Sequence, residues 1–250
     1  MHLTHHHFTA ADGVRLAWHE LGEGRPVLLL HGLFSDAHTN WIRFGHAAAI
    51  AAKGVRLIMP DLRAHGQSGK PHDPASYPPD ILAADAFALI AHLSLTDYDL
   101  GGYSLGARTT VRMIAQGARP GRAVIAGMGL GGLLGTSGRA DHFRHVLRNL
   151  GQHPRGSPEW MAEAFLKTTK GDPQALLLLL NTFVDTPEAE LDKLTMPTLV
   201  VCGAEDQDNG SAPELARRLA HARYAEVPGG HMSSVTKPEL GLAIADFLAP

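Results

Sequence analysis

Cysteine is nearly absent: Cys202 is the only one in 250 residues, which excludes an internal disulfide and makes a reducing, cytoplasmic setting the expected one. With Leu199-Val200-Val201 before it, Cys202 reads as a small buried hydrophobe in a strand. Aromatic residues are scarce at 6%, and charged residues reach only 19% with a net charge of -3. Without a basic excess, the chain offers no electrostatic footprint for nucleic acid or an anionic membrane. Long apolar runs are missing too. The run Leu176 to Leu180 is far shorter than the roughly 20 residues that span a bilayer. Met1-His2-Leu3-Thr4 lacks a basic start followed by an apolar stretch, so no secretory leader is expected. His5-His6-His7 read as an exposed edge strand in preference to a metal site. What remains is an ordinary balance, 44% apolar, in a chain long enough for one α/β domain or a domain with a sizeable insertion.

The apolar residues fall into short runs. Leu3 to Thr9 and Val14 to Leu21 flank Asp12-Gly13, a hairpin signal, and Val14, Leu16 and Trp18 alternate with Arg15 and His19 as in a half-buried strand. Beyond Gly24-Arg25-Pro26 the pattern changes. Val27 to Leu30, Val55 to Met59, Ala123 to Ala126 and Thr198 to Val201 are continuously apolar, as strands covered on both faces are. Helical patterns separate them over Trp41 to Ala52, Ile81 to Leu93, Thr109 to Gln116, Pro213 to Ala220 and Leu240 to Leu248. This alternation predicts an α/β fold: a mostly parallel central sheet, helices on both faces, and the N-terminal hairpin as its antiparallel edge. From Gly129 to about Leu194 the rhythm breaks into a glycine-rich loop (Gly129 to Gly138) and three amphipathic stretches, His142 to Leu150, Glu159 to Lys167 and Asp172 to Phe183. The expected organisation is therefore a core of residues 1–128 and 195–250 with a helical cap, 129–194, over the carboxyl ends of the strands, where such sheets bind ligands.

The stretch Gly101-Gly102-Tyr103-Ser104-Leu105-Gly106 lies between the strand ending at Leu100 and a helix. A glycine two residues either side of the serine allows a turn tight enough to hold Ser104 out at a helix N-terminus, a position suited to a nucleophile. A serine hydroxyl needs a base, and the base an orienting acid. Position selects His231, in Gly229-Gly230-His231-Met232, because it follows the last strand (Tyr224 to Val227) at the same end of the sheet. By the same argument Asp206, in Gly203-Ala204-Glu205-Asp206, is the acid, with Asp208 as a rival that otherwise serves the turn. Acyl transfer builds negative charge on one oxygen, which two backbone N–H groups can stabilise. The candidates are Leu105, directly after Ser104, and Leu33, in the loop His31-Gly32-Leu33-Phe34.

Together His31-Gly32, Asp61-Leu62-Arg63-Ala64-His65-Gly66-Gln67-Ser68, Gly102-x-Ser104-x-Gly106, Gly203-Ala204-Glu205-Asp206 and Gly230-His231 resemble the α/β-hydrolase superfamily, with the serine, aspartate and histidine in its chain order. The resemblance weakens only in the cap. It implies Ser104 as nucleophile, His231 as base and then acid, Asp206 as orienter, and Leu33 and Leu105 as oxyanion donors. It also makes the Asp61 to Ser68 loop structural, tied to the sheet by its aspartate and arginine, with His65 exposed; Ala64 stands where glycine is common. A serine at 104 argues against the dehalogenases and epoxide hydrolases, which carry aspartate there. The loop after His31 lacks the extra glycines of the carbon–carbon bond hydrolases and the proline of the cofactor-free haloperoxidases.

The expected activity is hydrolysis of a carboxylic ester of a small, largely apolar substrate by way of an acyl-enzyme. Phe34, Tyr103, Met128, Leu130 and Met232 would line the pocket, with Leu133, Leu134 and Leu176 to Leu180 closing it. A lactonase, thioesterase or carbon–carbon bond hydrolase shares the triad, and a non-turnover ligand sensor shares the pocket. No metal or organic cofactor is implied, since no pattern such as His-Glu-x-x-His occurs. The expected state is a monomer or homodimer acting on a small molecule.

Overall fold

The apolar runs become the middle of a sheet because both faces of each are covered. In a computed structural model, which describes residues 2–249, the strands are β1 (Thr4–Thr9), β2 (Arg15–Leu21), β3 (Arg25–Leu30), β4 (Val55–Pro60), β5 (Asp99–Tyr103), β6 (Ala123–Ala126), β7 (Thr198–Gly203) and β8 (Ala222–Val227). Their order across the sheet is β1-β2-β4-β3-β5-β6-β7-β8. β1 pairs antiparallel with β2, and β2 antiparallel with β4; every later pairing is parallel. The helices are α1 (His46–Ala51), α2 (Ile81–His92), α3 (Leu105–Ala115), α4 (Leu130–Leu134), α5 (Ser137–Arg148), α6 (Pro158–Thr168), α7 (Pro173–Leu179), α8 (Ala212–Arg218) and α9 (Pro238–Leu248).

Period-two alternation divides each parallel strand between two apolar layers. Val27 and Leu29 of β3 join the layer formed with α1 and α9, through Ile50, Leu240, Ile244 and Leu248. Leu28 and Leu30 join the opposite layer, with Leu82 and Leu89 of α2, Val111 and Ile114 of α3, and Leu215 of α8. Each of these leucines is buried, and removing such a side chain from water contributes about 1.5–3 kcal/mol. This sandwich fixes the direction of the parallel strands, and so gathers the loops after β3, β5, β7 and β8 at one end.

The segment between β6 and β7 holds α4 to α7. Ser157, Asp172 and Ser211 cap α6, α7 and α8 by accepting N–H bonds from Trp160, from Gln174 and Ala175, and from Glu214, and a proline follows within the first two positions of each helix. Leu133, Leu166, Leu176, Leu179 and Leu180 of this segment are buried in the same apolar cluster as Phe34 and Met128 of the core.

Four details differ from the sequence expectation. Trp41 to Ala52 is not one helix: a π-helical turn over His38–Ile42 is separated from α1 by a break at Gly45, the residue before α1, whose φ is 83°. The loop Gly129 to Gly138 contains α4, whose glycines let it pack closely; a Cβ on Gly132 would meet the Asn209 carbonyl at 2.8 Å. Asp172 to Phe183 divides into α7 and a 3-10 turn over Leu180–Thr182. His65 is buried, at 2% exposure, not exposed. The loop carrying it is nonetheless pinned by its acid and base: Asp61 accepts from Ala37 N–H at 2.9 Å and Gln67 N–H at 2.8 Å, while Arg63 reaches Asp85 at 2.7 Å and Asp12 at 2.5 Å. Among the described residues no helix is long and apolar enough to cross a membrane.

Candidate active site

Between the end of β5 at Tyr103 and the start of α3 at Leu105 a single residue makes the turn. Ser104 takes it with φ 53° and ψ −109°, a conformation that costs a non-glycine residue roughly 1–3 kcal/mol. The neighbours leave it no slack. A Cβ on Gly102 would collide with the Gly106 backbone, and one on Gly106 with the Leu30 carbonyl. Bonds from Ser104 N–H to Ala126 O at 2.8 Å and from Arg108 N–H to Ser104 O at 3.0 Å hold the serine at the helix entrance.

His231 enters from the loop after β8. The Tyr103 hydroxyl donates to its carbonyl at 2.6 Å and lies 2.9 Å from Ser234 Oγ, so the loop rests on the residue preceding the serine. The imidazole lies between two oxygens: Nε2 is 2.9 Å from Ser104 Oγ and Nδ1 is 2.8 Å from Asp206 Oδ2. A carboxylate can only accept, so Nδ1 carries the proton and Nε2 is free to accept from the serine hydroxyl. Burial alone would raise the Asp206 carboxyl. The His231 hydrogen bond and charge, with the Asp208 N–H, more than offset this and hold it below its ordinary value. Cys202 Sγ also contacts Asp206 Oδ2, at 3.4 Å, with its own thiol pushed up to about 12 by burial and by Asp206. Asp208 is in a different position. Its N–H donates to Asp206 Oδ1 at 3.1 Å, while its side chain, 45% exposed, pairs with Arg139 at 2.8 Å.

Gly32 brings the loop after β3 close to the serine; a Cβ there would stand 3.5 Å from that of Ser104. The N–H groups of Leu33 and Leu105 donate to no other group among the described residues, whereas those on either side of Leu33 are engaged. Gly32 N–H donates to Asn40 Oδ1 at 3.0 Å, and Phe34 N–H to His65 Nε2 at 3.2 Å. Burial and the neighbouring His31 push His65 down to about 3, so it is neutral and able to accept. On the other side, the Thr169 hydroxyl at the end of α6 is 2.6 Å from the Phe34 carbonyl. The loop that carries the free Leu33 amide is thus clamped at Phe34 from the core and from the segment between β6 and β7.

A family model described as the alpha/beta hydrolase family matches residues 27–243. The chain belongs to the alpha/beta hydrolase family. Among curated relatives, it is 36% identical over 126 residues to a non-heme haloperoxidase of Rhodococcus erythropolis, covering 48% of this chain and 42% of that one. It is 29% identical over 229 residues to the non-heme chloroperoxidase CPO-A1 of Kitasatospora aureofaciens, covering 80% of each. The chain thus spans less than half of the first relative's length. Its fold is similar to that of an esterase of Exiguobacterium antarcticum, with a TM-score of 0.79 at 19% identity over 98% of this chain and 99% of the other.

In this alpha/beta hydrolase the residues expected to line a pocket separate. Phe34, Met128 and Leu130 share one apolar cluster, and Phe34 meets Phe143 of α5 edge-on with ring centroids 5.2 Å apart. Tyr103 belongs to the layer on the opposite face of the sheet and does not share their pocket wall; alternation along β5 sends its ring beneath the His231 loop. Met232 is 51% exposed. Asp206, Asp208 and His231 form a group of three ligating side chains with atoms within 4.8 Å of one another. Two of the three are already joined by the hydrogen bond between imidazole and carboxylate. Asn40, His65 and Thr169 are the positioning residues that sequence reasoning missed; nothing in their local sequence marks them, because each acts across 8 to 135 residues of chain.

Proposed function

We propose that the chain hydrolyses a carboxylic ester of a small, largely apolar substrate. The observation that carries this reading is the unbroken relay from Ser104 Oγ through His231 to Asp206, at 2.9 and 2.8 Å. His231 Nε2 takes the hydroxyl proton as Oγ attacks the ester carbon, and the carbonyl oxygen becomes an oxyanion facing the Leu33 and Leu105 amides. The imidazolium, paired with Asp206, returns its proton to the alkoxide leaving group as the tetrahedral intermediate collapses. Water then repeats the sequence on the acyl-enzyme, releasing the acid and restoring Ser104. Phe34, Met128 and Leu130 supply an apolar wall, residues 129–194 act as its cap, and Met232 stands at the rim.

A second reading is favoured by the relatives named haloperoxidases: the same acyl-enzyme passes to hydrogen peroxide in place of water. The loop after His31 lacks the proline expected for that activity, which favours water. A panel of p-nitrophenyl esters from acetate to octanoate, with and without peroxide, tests both. Turnover lost in Ser104→Ala and little altered by peroxide supports ester hydrolysis. Undiminished turnover in Ser104→Ala would remove both readings.

A further inference from the structure

β1 is the outermost strand of the sheet and pairs with β2 on one side only. Its three consecutive histidines meet different residues across that pairing: His5 stands opposite His19, His6 opposite Trp18 and His7 opposite Ala17. Side chains alternate between the two faces, so His5 and His19 project together on one face while His6 goes to the other. There His6 stacks on the Trp18 ring, with centroids 4.9 Å apart, and shares a hydrogen bond with Thr4 Oγ1 at 2.8 Å. On the first face His5 is exposed and His19 is buried, at 3% exposure. Their Nδ1 atoms face each other at 2.6 Å, with the rings edge-on and their centroids 4.6 Å apart.

The far nitrogen of His19 decides which atoms carry protons. Nε2 lies 3.4 Å from Oδ2 of the buried Asp61. A carboxylate can only accept, so His19 keeps its proton on Nε2 and presents a bare lone pair at Nδ1; the proton between the two rings belongs to His5 Nδ1. An imidazole whose far N–H rests on a carboxylate is in the arrangement that metal-ligating histidines adopt, because the carboxylate sets the tautomer and aims the lone pair. Asp61 is itself fixed by the Ala37 N–H at 2.9 Å and the Gln67 N–H at 2.8 Å. His19 is thus a pre-oriented ligand, and the group its lone pair meets is a second imidazole on an exposed side chain.

We infer that His5 and His19 form a binding site for one zinc ion, which fastens β1 to the edge of the sheet. As the ion enters, His5 gives up its Nδ1 proton to water and takes one at Nε2, so that both Nδ1 lone pairs are free for the metal. Zinc–nitrogen bonds of about 2.0–2.1 Å in tetrahedral geometry place two ligand nitrogens roughly 3.3 Å apart. The exposed His5 ring therefore swings out by about 0.7 Å from its present 2.6 Å while His19 stays on Asp61, and water fills the other positions. Imidazole donors suit zinc and its transition-metal neighbours and are poor ligands for magnesium. The site involves neither Ser104 nor the proposed hydrolysis, and stands or falls apart from them.

Zinc is titrated calorimetrically into the full chain without an affinity tag, and into His5→Ala, His6→Ala and His19→Gln, whose amide can still donate to Asp61. Amide exchange of β1 is followed by mass spectrometry with zinc, with magnesium and with neither. The expected affinity is weakened roughly tenfold or more in His5→Ala and in His19→Gln, and altered less than about twofold in His6→Ala. Zinc should slow exchange across Thr4–Thr9 in wild type, and magnesium should not. Zinc affinity unchanged in His5→Ala or in His19→Gln would overturn the inference, as would zinc binding that leaves β1 exchange untouched. A loss in His6→Ala equal to that in His5→Ala would overturn it as well, by assigning the ion to the run of three histidines and not to the pair across the strands. If His19→Gln fails to fold, the contrast between His5→Ala and His6→Ala decides.

Discussion

Asn at position 206 changes the site in a way the surrounding bonds dictate. Asp206 has two oxygens with different partners: Oδ1 accepts the Asp208 N–H at 3.1 Å, and Oδ2 faces His231 Nδ1 at 2.8 Å. In Asp206→Asn the amide oxygen keeps the Asp208 N–H, because the amide nitrogen cannot accept it. The NH2 then takes the place of Oδ2 and donates to Nδ1. That forces the imidazole proton onto Nε2, pointing at Ser104 Oγ, and the base is gone before substrate arrives. The variant also loses the carboxylate that would stabilise the imidazolium. Loss of an orienting aspartate in a serine–histidine–aspartate triad of another fold costs about 10⁴ in kcat, and a tenfold change is about 1.4 kcal/mol, so about 5–6 kcal/mol of barrier is at stake. The expected result is a fall in kcat of roughly 10³ to 10⁴, with KM for p-nitrophenyl butyrate changed less than about threefold. A melting temperature close to wild type would show that the fold is intact. A loss under tenfold would refute the reasoning, and a larger loss in Asp208→Asn than in Asp206→Asn would move the role to Asp208.

Three further outcomes follow from the same bonds. Asp61 is buried, which alone would raise its carboxyl. Bonds from His19, Gln67 and Ala37 and the charge of His31 hold it at about 2 instead, against an ordinary 3.8. Its folded pKa lies below its unfolded one, so it contributes about 2 kcal/mol that is present above about pH 4 and lost as pH falls toward 2. Urea unfolding of wild type and Asp61→Asn should therefore converge by about that amount between pH 5 and pH 2, and a gap independent of pH would contradict it. Thr169→Val removes the donor to the Phe34 carbonyl and leaves that group unpaired; kcat should fall roughly three- to tenfold with KM held. Equal kcat would show that the clamp on the loop is dispensable. Tyr103→Phe removes the bonds to the His231 carbonyl and Ser234, costing about 1–2 kcal/mol in denaturant unfolding and lowering kcat through the His231 loop. A lower kcat paired with a shifted chain-length preference would return Tyr103 to the pocket wall.

The layered sheet was legible because its signal is local: runs such as Val27 to Leu30 are apolar at every position, and alternation alone divides them between two layers. The turn at Ser104 was legible for a related reason, since the backbone contacts at Gly102 and Gly106 admit no other residue. Chain position then indicated His231 and Asp206 because parallel strands bring their following loops to one rim. Burial of a polar side chain carries no such mark. His65 sits in a run of small and polar residues that reads as surface, yet packing under the loop after β3 buries it and makes it an acceptor. Tyr103 was misplaced because neighbouring pocket residues were read along the chain, whereas alternation across β5 sends it to the other face. The helix break at Gly45 depended on a left-handed φ that a glycine permits but does not require.

The central claim is that Ser104 is an activated nucleophile, and covalent trapping addresses it most directly. Incubation with a fluorophosphonate, followed by intact mass and peptide mapping, should give one adduct, on Ser104, formed far more slowly in His231→Ala and absent from Ser104→Ala. An adduct mapped to Ser35 or Ser233, or full labelling of the Ser104→Ala variant, would contradict the account.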